Sequence, residues 1–221
     1  MKKISLFLLA ITSLIFVCAG SVFAYPVQVG DQIVLTKTSV GGGYYVGTEW
    51  YGGGDFGVSL ASAVDDTLFT TFCVEYDVHM SLNTQYTVSN ISNTVMNSGR
   101  ELNDATKWLY WNFDKGTLVS ASDNQYSYSK DGVRALQEAI WVLEGYDEVG
   151  LSGLSQVLYD LGQKNAVFGA DYDVKVMNLE DAAGNDKQSQ LVAAPVPEPA
   201  TMMLLGSGLV GLALYRRRMK K

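Results

Sequence analysis

The run Leu68-Phe69-Thr70-Thr71-Phe72-Cys73-Val74-Glu75-Tyr76 is rich in β-branched, aromatic and aliphatic side chains and lacks Gly and Pro. That is the composition of a β-strand. It also carries a cysteine. The chain has two, and Cys18 falls in an N-terminal segment that export would remove. Cys73 is then the sole thiol of the mature protein and has no internal disulfide partner. Four fates are open to it: a buried core residue, an intermolecular disulfide, a nucleophile, or another covalent bond.

Outward from this strand, both ends of the 221-residue chain read as targeting segments. Lys2 and Lys3 precede an apolar stretch over residues 4–17, and Ser21-Val22-Phe23-Ala24 offers small or aliphatic residues where a signal peptidase reads. Cleavage after Ala24 is expected. Val17 is the wrong residue to precede a lipoprotein site at Cys18. The other end runs Val196-Pro197-Glu198-Pro199, an apolar run over 200–214, and then Arg216, Arg217, Arg218, Lys220 and Lys221. A basic cluster after an apolar run stays on the cytoplasmic side during export. The run is short for a full span and holds Gly206, Gly208 and Gly211.

These last features, in this order, resemble the PEP-CTERM sorting signal of Gram-negative bacteria over residues 196–221. The resemblance implies recognition by an exosortase at the inner membrane, a transient membrane anchor, removal of the tail, and release to the cell surface or extracellular matrix. Loss of both ends removes seven of the sixteen basic residues and one of the 23 acidic ones, leaving a net charge of −13 between Tyr25 and Pro197. So acidic a segment disfavours a nucleic-acid partner, which needs a basic footprint.

Within the mature chain, residues 32–38, 56–61, 68–76 and 85–88 have strand character. Gly41-Gly42-Gly43 and Gly52-Gly53-Gly54 form turns around residues 44–51. The period then becomes helical. Residues 103–113 are expected as a helix with Asn103 or Asp104 near its N-cap, 131–144 as a second with an apolar stripe of Leu136, Ala139, Ile140 and Leu143, and 151–161 as a third. Gly145 is a natural stop for the second helix. Tyr172, Val174 and Val176 alternate as a last strand. Residues 178–194, polar and then small, read as a linker to the sorting tail. The expected fold is α+β: an antiparallel β-sandwich or barrel-like sheet with a small helical subdomain, plus an N-terminal signal helix and a C-terminal hydrophobic helix. The segments are a signal peptide (1–24), the domain (25–190), a linker (191–195) and the sorting tail (196–221).

On the second helix, Gln137 lies beside the apolar stripe, where an amide needs hydrogen-bond partners. Phe72-Cys73-Val74-Glu75 and Leu136-Gln137-Glu138-Ala139-Ile140-Trp141, taken in this order, resemble the bacterial thioester domain family. Cys73 takes the family's Cys place and Gln137 its Gln place, and the resemblance spans roughly residues 32–178. It implies an internal thioester. The thiolate attacks the Gln137 amide carbon and expels ammonia; an amine or hydroxyl on a surface or matrix target later attacks the same carbonyl and frees Cys73. A cysteine is the side chain best suited to that attack near neutral pH. Proximity in the fold must supply about 7–11 kcal/mol at best. Such a protein is a single-use adhesin rather than an enzyme. Its processing partners are signal peptidase and exosortase, and the inner membrane holds it only transiently.

Other chemistry is thin. One histidine and one mature cysteine exclude the usual zinc sets. His79, six residues from Cys73, lies about 20 Å away if the strand runs straight, too far for a Cys–His protease pair. Asp171 and Asp173 lack a calcium loop around them. No phosphate loop and no glycosidase carboxylate pair stand out, so no cofactor or metal is expected. The alternative is a non-covalent matrix protein, binding carbohydrate through Trp50, Tyr51 and neighbouring aromatics.

Overall fold

A computed structural model describes residues 25–40, 45–46, 49–50, 53–170 and 172–194, with backbone only at 45–46 and 49–50. Residues Tyr25–Ala194 form one compact unit. Its strands are β1 (Gln32–Lys37), β2 (Tyr45–Val46), β3 (Glu49–Trp50), β4 (Asp55–Leu60), β5 (Phe69–Phe72), β6 (Gln85–Ser92), β7 (Val174–Glu180) and β8 (Asp186–Ala193). Between β6 and β7 lie α1 (Asp104–Asp114), α2 (Leu118–Ala121), α3 (Lys130–Leu143) and α4 (Leu154–Asn165).

Six strands form one antiparallel sheet in the order β5-β4-β1-β6-β7-β8, and β2 and β3 pair separately. This corrects the expected sandwich or barrel: the sheet is a single open ladder with β5 and β8 as its edge strands. The chain leaving β5 touches β8 through one isolated bridge, Cys73 with Gln190, and one main-chain bond from Val74 N–H to Ser189 O at 3.0 Å. Cys73 therefore stands where the two edges meet.

A second correction concerns residues 178–194. They are not a linker but the end of β7, a turn and all of β8. Residues 191–193, placed in the linker, are strand and buried. A third concerns the membrane. Among the described residues no helix is long and apolar enough to cross one. The expected signal helix (1–24), the C-terminal hydrophobic helix and the transient anchor built on residues 200–214 fall outside the described residues.

Strand alternation sorts the core into two parts. Phe72 and Val74 join Val174, Val176, Leu191 and the helices, whereas Cys73 joins Ile33, Leu35, Val58, Val88, Met177 and Trp141. Helix α3 serves both: Leu136, Ala139 and Ile140 fill the first and Trp141 reaches the second. Ser129 caps α3 by accepting from Gly132 N–H at 3.3 Å, and Asn103 caps α1 by accepting from Ala105 N–H at 2.8 Å.

The two helices are tied end to end. Asn103 Nδ2 donates to Leu143 O at 3.0 Å, and Asn103 N–H donates to Glu144 Oε1 at 3.2 Å. Burial lifts the Glu144 carboxyl from 4.5 to about 7, against the pull of that N–H. Between those values the fold holds a proton that the unfolded chain has released. Stability should thus decline as pH rises from 4.5 to about 7 and level off above, by about 3 kcal/mol. Urea unfolding at pH 4.5 and 7.5 measures this. Glu144→Gln should flatten the difference, and an unchanged difference would refute the assignment.

Candidate functional site

The site is built from four segments: the chain leaving β5 with Cys73, the β8 edge beside it, the middle of α3, and the turn at Gly53 and Gly54. Gln137 is fully buried. Its Oε1 accepts two main-chain N–H groups, from Cys73 and from Gly54, each at 3.1 Å. Its Nε2 donates to Cys73 O at 2.8 Å. The side-chain amide thus pairs with both main-chain polar groups of Cys73, as a neighbouring strand would. Two N–H donors on one carbonyl oxygen draw electron density from its carbon. They also stand ready for the charge that an attacking nucleophile would push onto that oxygen.

The glycine cluster makes this possible. Gly54 has φ +128°, in the region that disfavours L side chains, and this turns its N–H onto Gln137. At Gly53 a Cβ would lie 2.0 Å from the Trp141 ring, so only glycine lets the backbone pass over that indole. Trp141 is fully buried, four residues beyond Gln137 on α3, with its ring edge-on to Tyr76 at 5.0 Å.

The thiol points elsewhere. Cys73 Sγ donates to Gln188 Oε1 at 2.9 Å and accepts from Gln190 Nε2 at 3.7 Å. Gln188 is itself anchored, its Nε2 donating to Glu75 O at 2.7 Å. Burial pushes the Cys73 thiol far above its ordinary range. The Gln190 hydrogen bond only partly opposes this, and the nearby Glu75 carboxylate adds to it. The resting sulfur is therefore a neutral S–H, not the thiolate that attack on the Gln137 amide calls for. Sγ swings about χ1 on the residue whose N–H and C=O grip Gln137, so a single rotamer change moves it relative to the amide carbon.

Gln188 and Gln190 went unread in the sequence because their segment looked like a linker. The available signal was period two: Gln188 and Gln190 share one strand face. His79 is exposed, whereas Cys73 is fully buried. Trp50 is described by its backbone alone, and Tyr51 and Asp171 lie outside the described residues.

Residues 195–218 match the PEP-CTERM protein-sorting motif. The chain carries a PEP-CTERM sorting tail. The match covers Val196, Pro197, Glu198 and Pro199 as well as Arg216, Arg217 and Arg218, all outside the described residues. No curated protein and no solved structure matches the chain.

Proposed function

We propose that this protein is exported, sorted through its PEP-CTERM tail by an exosortase after signal peptidase cleavage, and delivered to the cell surface or extracellular matrix. There its domain joins Cys73 to Gln137 as an internal thioester and attaches covalently to an amine or hydroxyl on a partner. The sorting motif supports the route. One observation above all supports the chemistry: the Gln137 carbonyl oxygen sits on two main-chain N–H groups, one of them from Cys73 itself.

In this reading Sγ adds to the Gln137 amide carbon. The oxygen takes up negative charge against Cys73 and Gly54 N–H, the C–N bond breaks, and the thiol proton leaves with ammonia. An amine then adds to the thioester carbonyl, the C–S bond breaks, and the amine's proton returns to sulfur. Each molecule acts once, so the protein is not a turnover enzyme. Complete burial of both side chains keeps water from the bond.

A second reading has its own support. The neutral thiol bonded to Gln188 is also what an inert core cysteine looks like, and the protein is then a non-covalent matrix component. Intact mass of the mature chain, with and without methylamine, separates the two. Under the first reading the mass is low by one ammonia, methylamine is gained in full, and Cys73→Ala abolishes both. An unmodified mass with no methylamine uptake would leave only the second.

A further inference from the structure

Beyond the Cys73–Gln137 site, strand β5 and the segments on either side of α2 enclose a cavity of about 330 Å³. Its walls include Thr70, Phe113, Asp114, Leu118, Tyr126 and Tyr128. The Phe113 and Tyr128 rings stand 5.7 Å apart at 60°. None of the lining residues is a Lys, Arg or His. Asp114 pairs through Oδ2 with Lys115 Nζ at 2.5 Å, so an incoming cation would share this carboxylate with Lys115. A second carboxylate, Asp55, stands behind Tyr128 and accepts its phenol at 2.6 Å. Tyr126 is 3% exposed, and its hydroxyl is buried without a hydrogen-bond partner among the described residues. An orphaned buried phenol costs free energy that a donor-bearing occupant would restore.

We propose that this cavity is a docking site for an alkylammonium chain. The methylene stem lies against the Phe113, Tyr126 and Tyr128 rings, whose faces attract a cation. The ammonium has only protons to give, and the Tyr126 oxygen and the Asp114 carboxylate can accept them. A domain of net charge −13 draws cations from solution. An alcohol of the same shape can accept the Tyr126 proton but brings no charge to Asp114 and the ring faces, so the cavity selects amines over hydroxyls by charge. The cavity lies on the Thr70 and Phe72 face of the chain, about 10 Å from Cys73 along the strand and opposite to the face its thiol takes, so an amine docked there is near the site but not in line with the sulfur. Asp55 follows Gly54, whose N–H holds Gln137. The purpose of docking rests on the thioester reading, whereas the docking itself does not.

The test uses the mature chain carrying Cys73→Ala, which cannot form a thioester. It is titrated with n-butylammonium and with n-butanol while the aromatic proton resonances are followed. The ammonium should bind saturably and the alcohol about tenfold more weakly or worse, and Tyr126→Phe and Asp114→Asn should each weaken the ammonium about threefold. Spermidine and Nα-acetyl-lysine amide separate a free polyamine from a protein lysine, and tighter binding of either supports the site. Absence of ammonium binding, or equal binding of the alcohol, overturns it. Because the variant lacks the thiol, methylamine uptake by the unsubstituted chain judges the covalent reading separately.

Discussion

Gln137→Ala should unfold at markedly lower denaturant than Cys73→Ala, although both variants lose amine uptake completely. The two substitutions remove the same chemistry but different structure. Neither variant can form the cross-link, so its stabilising effect is absent from both. What remains is the clamp. Without the Gln137 amide, the buried N–H groups of Cys73 and Gly54 and the Cys73 carbonyl lose their partners. Each of these three buried orphans costs about 1–3 kcal/mol, so the total is about 3–9 kcal/mol. That is a large part of an ordinary domain's stability of about 5–15 kcal/mol. Cys73→Ala removes one buried sulfur and its bond to Gln188, worth about 1 kcal/mol. Urea denaturation of both variants, with unchanged slopes, reads the difference directly. Equal small shifts would mean that Gln137 does not hold the strand, and the reading of its carbonyl as a prepared electrophile would lose its footing.

The same amide shows what was legible in the sequence and what was not. Helices α1 and α3 were visible because their apolar side chains recur every three or four residues, and Asn103 was available as a cap. Strands β1 and β4 were visible from branched and aromatic runs. Gln137 stood out as a polar residue beside an apolar stripe, where it had to find partners. The partners it found are main-chain groups, and the sequence carries no mark of them. Strand β8 was invisible for the opposite reason. Asp186-Lys187-Gln188-Ser189-Gln190 reads as solvated chain, yet Gln188, Ser189 and Gln190 are buried. Their polar groups are met by one another and by distant residues: Ser189 Oγ donates to Asn178 Oδ1 at 2.8 Å, and Ser189 N–H to Glu75 Oε2 at 2.9 Å. Hydropathy cannot tell a polar run that faces water from one that satisfies itself inside a fold. Without β8 the meeting of the sheet edges at Cys73 could not be foreseen, nor could the hold of Gln188 on the thiol. The ionisation state failed for a related reason: burial sets it, and burial of Cys73 on both sides depends on Trp141 and β8 together.

Trp141→Ala should be the most damaging single substitution for the lifetime of the thioester. The indole is fully buried and packed between the Gly53 backbone and the Tyr76 ring. Truncating it costs about 3–5 kcal/mol through lost burial and the cavity left behind. The cavity opens one helical turn from Gln137 and beneath the glycine loop whose Gly54 N–H polarises the amide. Two effects then oppose each other. A looser Gly54 supplies less polarisation, which slows formation of the bond. Water admitted to the cavity hydrolyses whatever bond forms, converting Gln137 to Glu and freeing the thiol. Hydrolysis should dominate, because a thioester persists only while the site stays dry. Intact mass after incubation without amine should show the ammonia-deficient form retained in the unsubstituted chain and replaced by the hydrolysed form in Trp141→Ala. Trp141→Phe keeps a ring over the site and should fall between them. Equal hydrolysis in all three would show that water reaches the bond by another path, and that the packing of Trp141 against Gly53 serves the fold alone.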